Sequence, residues 1–305
     1  MTSFRVVLAV GLGLLPAALP GRLYAWGGLG HRTVAIIAEH RLSARALEEV
    51  RLILGPKTSL ADISTCADDI KRRPIKCGSF TLNADHRSSR WHYVDIPINA
   101  QPTASTVRSY CRGHGRDDQC STEQIKKEIA VLQDPKADVR AKQIALMFLV
   151  HLMGDLHQPL HNADDGDSGG NAKLVRFMAS PRARKKTNLH HIWDNMLMKD
   201  SEAKKWRPAE LAAELERDMA RKNTASWISR EIVDSSALES FRIAQSRIYR
   251  AYALKDGGDL GRTYQAEMQP IAFEQVEKAG VRLAHILNQA WPKGSPAPIT
   301  AISVE

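Results

Sequence analysis

The chain of 305 residues lacks the sequence signals of the common nucleotide-binding folds. It contains no Walker loop, no G-x-G-x-x-G fingerprint and no internal repeat, which argues against P-loop NTPases, dinucleotide-binding folds and repeat arrays. Long apolar runs are also missing. The stretch from Val6 to Leu19 is broken by Gly and Pro and is too short for a stable membrane anchor.

The first 25 residues have the pattern of a secretory signal peptide: a basic start, an apolar stretch and a short segment ending in Ala25. We therefore expect one mature domain, residues 26–305, that begins at Trp26. Leu23 stands where a small residue is preferred, so the cut before Trp26 is less clearly marked than the leader. Removal of the leader takes away two arginines and no acid, so the formal charge falls from +9 to +7. Such a surface attracts polyanions, although a mild basic excess also simply maintains solubility.

Cysteines are few, four in number, and none has C-x-x-C spacing, which argues against a thiolate metal site. In an exported protein an even number of cysteines favours disulfides, because oxidising compartments consume free thiols. Of the three possible pairings we expect Cys66 with Cys77 and Cys111 with Cys120. The alternative is a free, buried Cys66.

Helical periodicity dominates the chain and predicts a mainly α protein. A capping-box start is expected at Ser121 and Gln124, and Pro74 and Pro159 are expected to mark the ends of two helices. The predicted helices are His31 to Leu42, Ala44 to Leu54, Leu60 to Lys71, Thr122 to Gln133, Val139 to Leu156, Leu189 to Met198, Pro208 to Arg221, Trp227 to Tyr252 and Arg262 to Trp291.

One long interruption, Asn162 to Thr187, is rich in Gly, Asp, Ser, Arg and Lys and predicts a surface loop or hairpin. Its apolar run, Leu174 to Met178, is compatible with a strand. Its basic run, Arg182 to Lys186, is compatible with phosphate contacts, but a solvated loop face is the simpler interpretation.

The most apolar of the predicted helices carries His151 and Asp155, four residues apart on one face. Burying an ionised carboxylate there costs several kcal/mol unless a cation or an ion pair compensates it. His190 and Asp194 repeat the spacing, and His161 follows the first pair. A core histidine hydrogen-bonded to an aspartate is the alternative for each pair taken alone. The whole set favours zinc held by nitrogen and oxygen, the mixture typical of hydrolytic sites.

Six short motifs follow one another in the chain: Trp26-Gly27-Gly28-Leu29-Gly30-His31, Cys66-Ala67-Asp68, Trp91-His92-Tyr93-Val94-Asp95, His151-x3-Asp155-x-His157-Gln158-Pro159-Leu160-His161, Gly169-Gly170-Asn171 and Asn188-Leu189-His190-x2-Trp193-Asp194. Together they resemble the zinc-dependent single-strand nuclease family, known from fungal secreted nucleases and plant bifunctional nucleases. That family belongs with bacterial zinc phospholipases C in one mostly helical superfamily. The resemblance implies a single-domain, multi-helix phospholipase C/nuclease-type fold with a trinuclear zinc cleft and a small loop or hairpin insertion. Cys66 departs from it, since many relatives have Trp there.

The resemblance also implies a set of zinc ligands. One ion would be held by Asp68, His92, His151 and Asp155, a second by His161, His190 and Asp194, and a third by the amine and carbonyl of Trp26, His31 and the second oxygen of Asp155. Asp155 would then bridge two ions, because a carboxylate has two oxygens whereas an imidazole ring ordinarily binds through one nitrogen. His157 is expected to support a ligand rather than to bind metal.

Four further residues are expected to act on substrate by the same resemblance. Lys71 stands where the family commonly has a cation that contacts phosphate, and Asp95 matches an Asp that orients the attacking water. The alternatives are a solvent-facing helix Lys and a turn residue. Tyr93 stands where relatives often stack an aromatic ring on a nucleobase, or it is a core Tyr. Asn171 is expected to help place substrate or to support a ligand, and the alternative is a Gly-Gly-Asn turn.

The expected function is hydrolysis of single-stranded DNA and RNA to 5′-phosphate products, with removal of 3′-phosphates from nucleotides as a second activity. We expect a secreted or periplasmic monomer with no stable membrane anchor after signal removal. A phospholipase C is the alternative enzyme, although such relatives usually have Glu in place of Asp194 and a longer spacing than that from Trp26 to His31. A non-catalytic zinc-binding protein is the third interpretation. It has no need of Lys71 and Asp95.

Overall fold

The computed structural model describes residues 26–111, 119–177, 187–198, 206–251, 254 and 258–291. Helices dominate these ranges, which confirms the prediction of a mainly α protein. The predicted signal peptide, residues 1–25, and the basic run Arg182 to Lys186 lie outside the described residues.

The α-helices in chain order are α1 (Gly28–Glu39), α2 (Ala44–Leu54), α3 (Leu60–Ile63), α4 (Cys66–Ile70), α5 (Val107–Cys111), α6 (Ser121–Gln133), α7 (Val139–Leu156), α8 (Leu189–His191), α9 (Pro208–Met219), α10 (Ile232–Ile243) and α11 (Arg262–Ala290). Short π-helical segments, Ile192–Met196 and Ala244–Ile248, continue α8 and α10. Single 3-10 segments are formed by His86–His92, Ala104–Thr106, Pro159–His161 and Thr224–Trp227.

The strands are short: β1 (Ile75–Cys77), β2 (Phe80–Leu82), β3 (Leu174–Phe177), β4 (Thr187–Asn188) and β5 (Asp259–Leu260). Strands β1 and β2 form an antiparallel hairpin in which Lys76 lies opposite Thr81. Strand β3 lies between β4, to which it is antiparallel, and β5, to which it is parallel. The strand predicted in the long interruption is therefore confirmed up to Phe177, whereas Met178 lies outside the described residues.

Two of the predicted helices are interrupted. The expected helix Leu60 to Lys71 is divided into α3 and α4, and the carbonyl of Ser64 at the division accepts a hydrogen bond from the ring of His151 instead of from a helical N–H. The expected helix Trp227 to Tyr252 begins only at Ile232, after the 3-10 segment that ends at Trp227. In both cases periodicity alone missed a local end of the helix, because the freed backbone groups find other partners.

The predicted capping box at Ser121 and Gln124 is wrong. The N-cap residue of α6 is Cys120, and no side chain caps the helix. Gln124 instead donates a hydrogen bond to the carboxyl group of Glu128 one turn later. Glu128 is buried, and a buried carboxyl group needs a polar partner, which Gln124 supplies.

Helix α7 is the centre of the molecule. Every residue from Ala145 to Leu156 is buried, and α1, α6 and α11 pack against the helix. The indole of Trp193 donates a hydrogen bond to the hydroxyl of Tyr264 at 3.0 Å, which joins the segment after α8 to α11. Polar side chains on this part of α7 are therefore enclosed by the surrounding helices.

Two disulfides fasten the periphery. Cys66 is joined to Cys77 and Cys111 to Cys120, so the expected pairing is confirmed and the alternative of a free Cys66 is wrong. They tie α4 to β1 and α5 to the start of α6. Within the part of the chain that the structure describes, no helix has both the length and the apolar character needed to cross a membrane.

Candidate metal centre

Helix α7 brings the first polar cluster together. His151 and Asp155, both fully buried, project from one face of the helix, and Gly154 lies beside them. A Cβ atom at Gly154 would lie 2.7 Å from Nδ1 of His31, so only glycine leaves room for that ring. The His31 ring is stacked on the His151 ring with centroids 4.0 Å apart. A close crossing of α1 over α7 thus adds a third group to the pair predicted from the helix spacing.

His92 and Asp68 complete this cluster from two other elements. Nδ1 of His92 lies 2.7 Å from Oδ2 of Asp155 and 3.1 Å from Nε2 of His151. Oδ1 of Asp68 lies 3.6 Å from Nε2 of His151. Donor atoms placed tetrahedrally around a zinc ion, with bonds of about 2.0–2.2 Å, are separated by roughly 3.3–3.6 Å. The donor atoms of His92, His151 and Asp155 lie close enough together to hold a metal ion, and so do those of His31, Asp68 and His151.

The two oxygens of Asp155 face different histidines. Oδ2 faces His92 and His151, the latter at 3.2 Å, while Oδ1 lies 3.3 Å from Nε2 of His31. Both Oδ1 of Asp155 and Nε2 of His31 are buried without a hydrogen-bond partner. This is the arrangement expected of a carboxylate that bridges two ions.

A second cluster is formed by His161, His190 and Asp194. The Nε2 atoms of the two histidines lie 3.1 Å apart, and Nε2 of His190 lies 3.4 Å from Oδ2 of Asp194. His161 belongs to the short turn after α7, and the other two residues belong to α8 and its π-helical continuation. The three donor atoms lie close enough together to hold one metal ion.

The hydrogen bonds of these rings determine which nitrogen carries the proton. Nδ1 of His161 contacts the carbonyl of His92 at 2.7 Å, and Nδ1 of His190 contacts the carbonyl of Gly169 at 2.6 Å. A carbonyl only accepts, so each Nδ1 is the donor and each Nε2 presents a lone pair. Two lone pairs held 3.1 Å apart repel each other unless a cation lies between them. The residues of the second cluster therefore fit a metal ion.

Gly169 makes this orientation of His190 possible. Its φ angle of +60° lies in the left-handed region, and a Cβ atom there would lie 2.5 Å from the carbonyl oxygen of Leu160. The Gly-Gly-Asn motif thus serves the metal centre through its backbone.

The carboxyl group of Asp194 is almost completely enclosed. Burial raises its pKa well above the usual range, although Nε2 of Gln158 donates a hydrogen bond to Oδ1 at 2.7 Å. The other end of Gln158 accepts from the N–H of Leu160 at 2.6 Å, so the amide is held in one orientation. A metal ion bound here would lower the pKa again, because a nearby cation favours the charged carboxylate.

The carboxyl groups of the first cluster also fit bound metal ions. Burial alone would raise the pKa of Asp155, but the positive charges of His151 and His92 hold it well below the usual range. Nζ of Lys71 lies 2.7 Å from Oδ1 of Asp68. With Asp194 there are three carboxyl groups in one buried region, a concentration of acidic groups that metal ions would compensate.

Trp26 lies beside the second cluster. Its side chain is fully buried, and the N–H of the next residue, Gly27, donates to the carbonyl of Asp194 at 2.6 Å. The main chain next to Trp26 is therefore joined to the segment that carries Asp194, and the role of Trp26 as a ligand stays a prediction.

The clusters open into one cleft of about 410 Å³, called here the main cleft. His92, His161 and His190 line it, and so do the four residues predicted to act on substrate: Lys71, Tyr93, Asp95 and Asn171. Residues that sequence reasoning missed also line it, namely Arg72, Ser89, Asp164 and Ser168.

Several alternative interpretations of these residues are resolved by burial and contacts. The side chain of Lys71 is 13% exposed and paired with Asp68, so it is not a solvent-facing helix lysine. Burial and the nearby charge of Asp95 raise the pKa of Tyr93, whose ring is half-buried at the cleft and not enclosed in the core. Asn171 donates to the carbonyl of Ser168 at 2.9 Å, so it belongs to the turn and also lines the cleft.

His157 was expected to support a metal ligand, but its ring contacts other groups. Its Nδ1 donates to the carbonyl of Met153 at 2.7 Å, and its Nε2 accepts from Arg282 at 3.0 Å. The ring thus joins the end of α7 to α11. The residue that does hold a ligand is the next one, Gln158, whose position between two predicted ligands was the only signal in the sequence.

A mostly helical fold, with buried His/Asp clusters that fit metal ions at the floor of a cleft lined by Lys71 and Asp95, defines a metal-dependent hydrolase. A sequence profile described as S1/P1 Nuclease matches residues 26–292, and the chain belongs to this family. It is accordingly a nuclease, an enzyme that hydrolyses phosphodiester bonds of nucleic acids.

Named relatives agree with this assignment along nearly the whole chain. Endonuclease 4 of Arabidopsis thaliana is 31% identical over 295 residues, which cover 87% of this chain and 89% of the relative. Nuclease S1 of Aspergillus oryzae is 31% identical over 287 residues, 89% of this chain and 93% of the relative. Nuclease P1 of Penicillium citrinum is 28% identical over 281 residues, 87% of this chain and 97% of the relative.

Proposed function

We propose that the protein is a zinc-dependent nuclease that hydrolyses single-stranded DNA and RNA to 5′-phosphate products and also removes 3′-phosphates from nucleotides. One observation carries the proposal: the main cleft places the metal-facing histidines beside Lys71, Asp95 and Tyr93. A cation for phosphate, a base for water and a ring for a nucleobase therefore face the same space.

Three zinc ions are proposed, in line with the ligand assignment that the family resemblance implies. They would be held by Asp68, His92, His151 and Asp155, by His161, His190 and Asp194, and by Trp26, His31 and Asp155. The division of the Asp155 oxygens between two sides supports a shared ligand. Zinc held by these residues would supply Lewis acidity, which would activate water and stabilise negative charge on the phosphate oxygens.

The cleft residues perform the remaining tasks. The ammonium group of Lys71, at the wall of the cleft, binds a non-bridging phosphate oxygen, and the carboxylate of Asp95 orients the attacking water and accepts its proton. Asn171 helps to position the strand from the opposite loop.

Tyr93 explains the preference for single strands. Its ring stacks on a nucleobase next to the scissile phosphate, and a paired base reaches such a ring only after unstacking, at a cost of a few kcal/mol. The net positive charge of the mature chain attracts the polyanionic substrate.

Export and a monomeric state are part of the proposal. Residues 1–25 are proposed to be a signal peptide and residues 26–305 the nuclease domain, and the family match that starts at residue 26 supports this boundary. Two disulfides support an oxidising destination, either the periplasm or the exterior of the cell.

A single comparative assay tests the function. The protein is assayed on four substrates: heat-denatured DNA, RNA, duplex DNA and a phosphatidylcholine emulsion. Each assay is made before a chelator removes the metal, after its removal, and after zinc is restored. We expect rapid hydrolysis of the first two, slow hydrolysis of duplex DNA, and loss and recovery of activity with zinc. Preferred hydrolysis of phosphatidylcholine would instead identify a phospholipase C, and activity that survives complete metal removal would overturn the zinc chemistry.

A further inference from the structure

A second cleft of about 550 Å³ lies on the other side of the wall that bounds the main cleft. The wall consists of residues 70–72 and 85–92, which are tied together by the N–H of Asp85 to the carbonyl of Ile70 at 2.9 Å and by the ring of His86 to the carbonyl of Lys71 at 2.6 Å. Neighbouring residues of the wall face opposite ways. Lys71 and His92 line the main cleft, while Ile70 and Trp91 line the second one.

The floor of the second cleft is aromatic. Trp91 is half-buried and makes a T-shaped contact with Phe148, with ring centroids 4.9 Å apart, and both residues line the cleft. A tryptophan ring held by a buried neighbour and still accessible from a cleft of this size is suited to stacking a planar ring.

The buried carboxyl group of Glu128 also lines the second cleft. Glu128 is 6% exposed, accepts a hydrogen bond from Gln124, and lines the cleft together with Ile144 and Phe148. Burial raises its pKa to about 7, so both protonation states are populated near neutrality. Its carboxyl oxygens accept from the N–H groups that nucleobases present on their Watson–Crick edges.

The rim carries cations. Arg87, whose side chain is 86% exposed, pairs with Asp85 at 3.5 Å, and the exposed Arg140 lies over the ring of Phe80 with its guanidinium carbon 5.6 Å from the centroid. Arg72 of the main cleft stands on the same wall. A strand that leaves the main cleft over this wall thus meets basic side chains on its way to the second cleft.

We propose that the second cleft binds a nucleobase of the strand being cut, stacked on Trp91 and hydrogen-bonded through its N–H groups to Glu128. This subsite rests on the proposed function, since its occupant is part of the nuclease substrate. It lies outside the metal centre and makes the enzyme recognise more than the two nucleotides joined by the scissile bond.

The test compares kcat/KM of the zinc-loaded enzyme on a dinucleotide, which cannot occupy both clefts, and on an octanucleotide of uniform sequence. Loss of one stacking contact corresponds to roughly tenfold or more, so Trp91→Leu should lower the ratio of octanucleotide to dinucleotide kcat/KM by about tenfold. Arg217→Gln, at an exposed residue of α9 paired with Glu214, is the matched surface control and should keep the wild-type ratio.

Glu128→Gln provides the second variant, since it keeps the shape of the side chain if Trp91→Leu fails to fold. An amide offers one donor and one acceptor where the carboxylate offers acceptors only. The variant should therefore change base preference at one position in a series of octanucleotides with a single guanine moved along the chain, an effect that a purely structural role would not produce.

Two failures are distinguishable. If the wild-type enzyme cuts neither substrate, the proposed function is refuted, and so is the subsite that rests on it. If wild type cuts both, yet Trp91→Leu and Glu128→Gln keep the wild-type length ratio and base preference, the nuclease stands and the subsite is refuted.

Discussion

Replacement of Gln158 by leucine should weaken one metal site and leave the others in place. Nε2 of Gln158 donates to Asp194 at 2.7 Å and its Oε1 accepts from Leu160 N–H at 2.6 Å, so the variant removes the donor that orients a ligand carboxylate. A hydrogen bond to a charged group contributes about 1.5–3 kcal/mol. Loss of such a partner lowers metal affinity roughly 10–100-fold, or about 1.4–2.7 kcal/mol, and the two ranges agree.

The assay is elemental analysis after dialysis against a graded series of chelator concentrations. Gln158→Leu should release one zinc equivalent at a chelator concentration about 10–100 times lower than wild type requires, and retain the rest. Ser240→Ala is the matched control, because Ser240 is also fully buried and donates to the carbonyl of Leu156 at the end of α7. Release of every ion together, or no change in release, would refute the reasoning.

Three other perturbations have defined outcomes. Asp155→Asn should lose at least one metal ion and more activity than the roughly 10–100-fold that loss of a ligand's partner costs, since an amide has no charge and bridges poorly; full zinc content with a near-normal rate would contradict this. A protein made with Met before Trp26 should fold but hold about two zinc ions and be much slower, because a peptide nitrogen has no available lone pair. Elemental analysis before and after cleavage to a free Trp26 amine tests this, and three ions in the extended form would disprove the amine ligand. Glu128 has a folded pKa of about 7, above its unfolded value, so stability should fall by on the order of 2–3 kcal/mol as pH rises from about 4.5 to 7, and urea unfolding of Glu128→Gln should lack this dependence.

The predictable parts of the site are those whose residues lie a few positions apart in the sequence. His151 and Asp155 lie four apart in a helix that is otherwise apolar, and α7 has the bounds that the pattern predicted. Here the local signal and the tertiary structure agree, because the apolar segment that carries the pair, Ala145 to Leu156, is buried throughout.

Other parts depend on contacts between distant segments. The need for glycine at position 154 arises only because the ring of His31, from α1, packs there. The division between α3 and α4 likewise depends on the carbonyl of Ser64 having the ring of His151 as a partner. No periodicity within one segment reports either requirement. The capping box at Ser121 failed for a related reason, since the buried carboxyl group of Glu128 competes for Gln124.

His92 has two roles through two different atoms. Its ring belongs to the first cluster, and its backbone carbonyl, 2.7 Å from Nδ1 of His161, orients a ring of the second cluster. A shift of His92 that accommodates an ion of another radius in the first cluster would therefore be transmitted to the second within a single residue. The affinities of neighbouring ions are then thermodynamically linked, so exchange of one metal should alter retention of the other, and by reciprocity the same free energy acts in both directions.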